Sequence, residues 1–315
     1  MEDADTKMIS VVIPVYKSEE ILTELCCRLQ KVFDSIRINY EIILVNDCSP
    51  DNSWKVMDRI SKENANIKAI LLRKNVGYDC AVMAGLTFAK GMNVVVMDDD
   101  LQHGPEDIPK LIEEMNKGYD VVYANFTKKK QSLMKNIGSW LNGKVAEAVI
   151  NKPSRIYLSP FKILRIEVVH EIIKYQGPFP YVDGLIFKVT SSIGQVLIPH
   201  YSRYAGTGNH NLYRSMKIWF NLTMGFSTLP LYLMTFVGLF MFVSAFSISI
   251  ALILWRIFWG GEQPEGWTTI ILVVTIIGGM QIAAIGIIGQ YIARIFLNIT
   301  HRVQFAIKQM NNIDN

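Results

Sequence analysis

Cysteine is scarce in this chain of 315 residues, with four in all, and no two of them are spaced as C-x-x-C. Zinc ribbons, thioredoxin-type redox sites and disulfide-stapled scaffolds are therefore excluded, and Cys26, Cys27, Cys48 and Cys80 read as reduced core thiols. Neither G-x-x-x-x-G-K-[ST] nor G-x-G-x-x-G occurs, which removes the main glycine-loop phosphate sites. Dense runs of Lys and Arg interleaved with aromatics are also missing, and a formal net charge of +4 gives no reason to expect a nucleic-acid partner. Met1 to Ser10 is acidic and polar with no apolar stretch, so no secretory signal is expected there, and the first domain should stay in the cytoplasm.

Charge itself is absent over two long runs, Leu229 to Trp255 and Trp267 to Ala293. Each exceeds the ~20 apolar residues that cross a bilayer. Neither shows the polar stripe of a helix packed on a soluble core. Two transmembrane helices are expected, 229–255 and 267–293. Arg214 and Lys217 precede the first run, and Arg294, Arg302 and Lys308 follow the second. The connecting loop sets Arg256 against Glu262 and Glu265, so both ends should lie in the cytoplasm, with residues 296–315 as a cytoplasmic tail. Gly279, Ala283, Gly286 and Gly289 would let helices approach closely, which suggests a homo-oligomer in the membrane. Two segments, one from Lys128 through Trp140 to Val145 and the other from Asn211 to Phe226, suit either a membrane-surface helix or a solvated one.

The N-terminal part alternates short β-branched runs with amphipathic stretches of helix length. The runs are Ser10 to Val15, Glu41 to Asn46, Ile67 to Leu72, Asn93 to Met97 and Asp120 to Tyr123. This is an α/β pattern with a mostly parallel, Rossmann-like sheet, whose functional loops belong at the carboxyl ends of the strands. The sharpest of these ends is VVVMDDDLQ, where an apolar strand stops in three carboxylates. Side chains alternate along a strand, so Asp98 and Asp100 should share a side and Asp99 should face away. Two carboxylates on one side repel unless a cation lies between them, and hard oxygen ligands suit Mg²⁺ or Mn²⁺. Asp47 ends a second strand, placed either to accept hydrogen bonds from a base or ribose or to cap the helix starting near Asn52.

Taken together, VVIPVYKSEE, ILVNDCSPD, LLRKNVGYDCAVMAGL, VVVMDDDLQHGPEDIPKL and GYDVVYA resemble glycosyltransferase family 2, in particular the polyprenyl-phosphate glycosyltransferases related to dolichyl-phosphate mannose synthase. The resemblance covers nearly the whole chain. It implies a GT-A catalytic domain over residues 8–200, an acceptor-side juxtamembrane segment over 201–228, and an inverting transfer of a sugar from a nucleotide-diphosphate donor, UDP-linked by preference, to a polyprenyl phosphate. It further implies a donor nucleotide held near Pro14, Tyr16, Asp47, Arg73, Asn75, Gly77 and Asp98, and a metal held by Asp98, Asp100 and Gln102. Asp98 and Asp100, with Lys162 and Arg203 as cations for the incoming phosphate, would be the catalytic set. Lys162 stands where relatives carry Arg, keeping the charge but losing the bidentate fork, and an ordinary surface role is the alternative.

Other departures from the family pattern are Lys17 and Ser18 in place of Asn and Glu, Asp99 in place of a small residue, and Gly208, Asn209 and His210 in place of Ser-Lys-Tyr. The competing readings are a family 2 enzyme that extends a glycolipid or polysaccharide and a noncatalytic membrane scaffold. The first is weakened by the absence of Gln-x-x-Arg-Trp, the second by the intact DDDLQ segment.

Overall fold

The computed structural model describes residues 8–126, 156–177, 180–198 and 303–313, with scattered positions between 236 and 295. The chain divides into two compact units, one formed by Met1–Asn209 with His301–Asn315 and the other by His210–Thr300.

The first unit starts as the sequence pattern predicts. Strand β1 (Ile9–Val15), helix α1 (Leu22–Ile36), β2 (Tyr40–Asn46), α2 (Ser53–Glu63), β3 (Ile67–Leu72), α3 (Tyr78–Thr87), β4 (Asn93–Val96), α4 (Ile108–Met115) and β5 (Val121–Phe126) alternate without a break. There follow β6 (Lys162–Arg165), α5 (Ile166–Ile172), α6 (Val182–Val189), β7 (Ile193–Ile198) and β8 (Ile307–Asn311). The eight strands form one sheet in the order β7-β5-β6-β4-β1-β2-β3-β8. β1, β2, β3 and β4 are parallel, whereas β6 runs antiparallel to both β4 and β5, and β8 antiparallel to β3.

Every residue of β1 is buried, because alternate side chains enter different cores. Val11, Ile13 and Val15 pack with Leu22, Leu25 and Leu29 of α1, while Val12 packs with Val82 and Leu86 of α3. This two-faced burial is why the strands read as continuous apolar runs. At Gly85 an added Cβ would collide with Val12 Cγ1 and press on Val45 Cγ2 at 3.1 Å, so only glycine lets α3 lie flush on the sheet.

Residues 307–311 belong to the sheet rather than to a separate tail. Asn311 Nδ2 donates to Asp58 Oδ1 at 2.8 Å, and the Asn312 amide donates to the carbonyls of Ser61 and Ile67. The four cysteines are free as expected, but they are not all core thiols: Cys26 and Cys80 are buried, whereas Cys48 is exposed. Burial pushes the Cys26 thiol up to about 12, with help from neighbouring Cys27, so it stays protonated.

At the amino ends of the strands, away from the carboxylate loops, a buried Glu41 gathers three donors. These are Ser10 Oγ at 2.5 Å, the Lys90 N–H at 2.6 Å, and the ammonium of Lys68 in an ion pair. Glu41→Ala would leave Lys68, 9% exposed, without its counter-charge. Removing one partner of a buried pair costs about 3–5 kcal/mol. The variant should therefore unfold at a clearly lower urea midpoint, while Glu41→Leu combined with Lys68→Met should recover most of the loss.

For the second unit, the described positions from Phe236 to Ile295 are helical apart from Gly266. Ser244 and Ser247 return their hydroxyls to the carbonyls of Phe240 and Val243 at 2.8 Å. Among the described residues no helix is long and apolar enough to cross a membrane. Most of 229–255 and part of 267–293 lie outside the described residues, as do Lys128, Trp140, Val145 and the segment from Asn211 to Phe226.

Candidate active site

The strand order reverses at β1: β2 and β3 lie to one side and β4 to the other. In an open α/β sheet such a reversal leaves a crevice at the carboxyl ends of the strands. β1 stays paired with β2 as far as Val15↔Asn46 but leaves β4 after Val12↔Val96. Pro14, which has no N–H to donate, is buried in the stretch where only the β2 side is still paired.

On the β4 side, the chain turns sharply after Met97, and Leu101 takes a left-handed φ of 55°. This turn brings Asp98, Asp100 and His103 together, with one ligand-type atom from each lying within 4.8 Å of the others. His103 is 4% exposed and stacks on Phe161 at 5.4 Å. Gln102, expected beside the metal, gives its backbone N–H to Asp100 Oδ1 at 3.1 Å. Asp98 Oδ1 is buried with no hydrogen-bond partner among the described residues. Burial, then Asp100, then Asp99 push the Asp98 carboxyl up to about 7, against a hydrogen bond from Tyr78 and the charge of Lys162. An orphaned buried oxygen beside a second carboxylate and an imidazole is a donor set that fits a divalent cation.

On the β1 side, the Tyr16 ring is 47% exposed at the mouth of the crevice. Asp47, 5% exposed, accepts the N–H groups of Val76 and Gly77 at 2.7 and 2.9 Å, and its carbonyl accepts Asn75 Nδ2 at 3.2 Å. Gly77 has a φ of 92°, open to glycine but strained for other residues. Asp47 thus fastens the β3–α3 loop and does not cap α2. The N-cap of α2 is Asn52, which makes no side-chain cap hydrogen bond, and the preceding Asp51 accepts the Ser53 N–H at 3.2 Å and the Ser53 hydroxyl at 2.8 Å. Burial raises the Asp51 carboxyl, but hydrogen bonds from Ser49, Ser53 and Glu19 outweigh it and leave the group low. Arg73 is exposed, with its N–H on the Ala306 carbonyl at 2.8 Å and Nε on the Ile307 carbonyl at 3.1 Å.

Lys162 is 2% exposed, so the surface role is excluded. Its ammonium is ion-paired with Asp183, which also accepts the Tyr123 hydroxyl at 2.8 Å, and it lies 5.4 Å from the Tyr123 ring centroid. Arg203, the other expected cation, lies outside the described residues, as does His210.

A family model for glycosyl transferase family 2 matches residues 10–173, more than half of the chain. The chain belongs to glycosyltransferase family 2. A relative from Aeromonas hydrophila subsp. hydrophila, undecaprenyl-phosphate 4-deoxy-4-formamido-L-arabinose transferase, is 30% identical over 312 residues, which covers 98% of this chain and 96% of that protein. Glucosyl-3-phosphoglycerate synthase from Mycobacterium tuberculosis shares the fold. Its complex with uridine diphosphate gives a TM-score of 0.52 at 16% identity, covering 69% of this chain and 78% of that one. The complex with Mn²⁺, uridine diphosphate and phosphoglyceric acid gives 0.53 at 16% identity, covering 69% and 76%.

This family 2 glycosyltransferase has a polar wall that its motifs did not reveal. Asp79, on α3, accepts the Val182 N–H at 3.0 Å. Burial pushes its carboxyl up to about 6, with Asp183 adding to the rise and Lys162 opposing it. Burial also raises the Tyr78 hydroxyl, followed by the charges of Asp98, Asp183 and Asp79, which keeps it a donor. Asp183 and Asp79 are 104 residues apart in sequence, by subtraction of their numbers, so spacing alone could not pair them. His103 directly follows the DDDLQ segment and was within reach as a side chain next to a carboxylate cluster.

Proposed function

We propose that the protein transfers a sugar, with inversion, from a UDP-linked donor to undecaprenyl phosphate, giving a polyprenyl monophosphate sugar at the cytoplasmic membrane face. The observation that carries this reading is the Asp98–Asp100–His103 cluster at the β1/β4 crevice, in a chain that matches an undecaprenyl-phosphate sugar transferase almost end to end. Asp98 and Asp100 would hold Mg²⁺ or Mn²⁺, with His103 as a third ligand. The cation would neutralise the diphosphate of the donor as it becomes a leaving group. Pro14, Tyr16 and Asp47 stand on the nucleoside side of the crevice, and Arg73, Asn75 and Gly77 on the adjoining loop. The acceptor phosphate is already anionic near neutral pH, so the site has to align it and offset charge more than remove a proton. Lys162, through Asp183, steadies the wall behind Asp98, and Arg203 is left to meet the incoming phosphate.

The second unit supports membrane attachment. Described helical positions there carry exposed apolar side chains, among them Phe236 at 69%, Phe240 at 73%, Phe258 at 70% and Ile285 at 67%. Surfaces of this kind mark contact with lipid or protein. On this reading the runs 229–255 and 267–293 supply two crossings with both ends on one side, and the return of β8 to the sheet that β1 began supports it. Gly286 and Gly289 have nothing within 4 Å of an added Cβ, which leaves room for a second helix to come close, and crosslinking in native membranes should then reveal discrete multimers.

The test incubates purified protein with undecaprenyl phosphate, Mn²⁺ or Mg²⁺ and a panel of UDP- and GDP-sugars, and reads the lipid by mass spectrometry. A monophosphate-linked glycolipid should form with one donor, vanish with EDTA and return with excess metal. Donor consumption only in the presence of a saccharide acceptor would overturn the lipid-phosphate reading.

A further inference from the structure

Of the three carboxylates after β4, Asp99 lies outside the cation cluster and reaches across the crevice to β1. Its Oδ2 accepts the Tyr16 N–H at 3.1 Å and the Ser18 hydroxyl at 2.5 Å. The turn it holds needs holding, because Lys17 sits at a left-handed φ of 61° that a side-chain-bearing residue adopts reluctantly. The same turn is tied from the other side: the Lys17 N–H donates to Ser49 Oγ at 2.8 Å and the Ser18 N–H to Ser53 Oγ at 3.1 Å. Ser18 and Asp99 are two positions at which the sequence departs from the family pattern, and here they are hydrogen-bonded partners. At this turn the carboxylate comes from position 99, position 18 being Ser.

We infer that Asp99 is a positioning residue for the donor nucleoside: by clamping the Tyr16–Ser18 turn to the loop that carries Asp98 and Asp100, it fixes the distance between the base-side wall and the diphosphate-side carboxylates. The inference rests on the nucleotide-donor reading above. A hydrogen bond to a charged group fixes geometry more strongly than a neutral one, and here a single oxygen restrains two donors of one turn.

The experiment measures binding of uridine and of UDP to the full-length protein by titration calorimetry. Uridine has no phosphate, so its binding does not report on a cation at Asp98 and Asp100. Asp99→Ala should weaken uridine by about tenfold, the scale set by loss of a charge-assisted hydrogen bond. Asp99→Asn, which keeps an acceptor oxygen, should stay within a few-fold of the parent, and Ser18→Glu combined with Asp99→Gly should restore affinity lost in Asp99→Gly alone. In turnover, Asp99→Ala should raise the donor KM more than it lowers kcat. Near-UV circular dichroism of each variant checks that the fold persists. Unchanged uridine affinity in a folded Asp99→Ala protein would overturn the inference. A parent protein that binds neither uridine nor UDP would instead overturn the donor reading, and the inference with it.

Discussion

Asp98→Asn should abolish glycosyl transfer, with a fall of at least about 10²–10³ in kcat, the scale for losing one group that stabilises developing charge. The same variant should melt above the parent protein in EDTA at pH 8. The loss of transfer comes from removing a charged ligand of the cation cluster, and the gain in stability from removing a buried charge. Asp98 and Asp99 are held up at about 7 and about 6, each mainly by burial, so without a cation the folded state resists their ionisation. The sign follows from linkage: a folded pKa above the unfolded 3.8 means the folded protein holds the extra proton, and stability falls as pH rises through the window from about 4 to about 7. The amide introduced by the substitution carries no charge to desolvate, so the penalty disappears. Saturating Mn²⁺ should stabilise the parent far more than the variant, since a ligand that binds only the folded state adds stability by mass action. Thermal melts with and without Mn²⁺, alongside the glycolipid assay, test this. An Asp98→Asn protein that still glycosylates lipid would remove the cluster from the mechanism.

A stop after Val303 should cost the protein donor binding, by 100-fold or more if about 3 kcal/mol of contacts to the nucleotide side is lost. The truncation removes β8, whose pairing with β3 runs from Ala69↔Asn311 to Leu72↔Ile307. Arg73 would then lose the Ala306 carbonyl from its N–H and the Ile307 carbonyl from Nε. The exposed edge of β3 would also be open to association with other chains. Asn312→Ala is the milder version, since it leaves the strand but frees the Ser61 and Ile67 carbonyls that its amide holds. It should lower donor affinity by a smaller factor in the same direction. Calorimetry with UDP on detergent-extracted protein separates the outcomes: full affinity without β8 would show that Arg73 needs no help from the C-terminal strand.

Much of this was legible without coordinates. Five strands fall within a few residues of where β-branched runs predict them, because a strand buried on both faces reads as a continuous run of Val, Ile and Leu, whereas the equally buried run of α3, Cys80 to Leu86, is mostly small and unbranched. The side-to-side split of Asp98 and Asp100 against Asp99 was legible too, although β4 ends at Val96 and the split is made by the turn that contains Leu101. β6 and β8 were not. β8 reads IKQMN, exposed or half-buried throughout, and edge strands of that kind lack the apolar signature. Lys162 was expected to meet the incoming phosphate, with a surface role as the alternative, and no local pattern announces that it is buried and ion-paired with Asp183.

The sequence by itself determined the order of the first five strands and the helices between them, the place of the carboxylates at a strand end, and the two uncharged runs, because each follows from solvation and periodicity within a short window. Tertiary structure alone decided which carboxylates meet His103, which one crosses to Tyr16 and Ser18, and which strand supports Arg73. Those last two sets of contacts join residues from about 80 to more than 200 positions apart, and only packing of the sheet brings them within hydrogen-bond range.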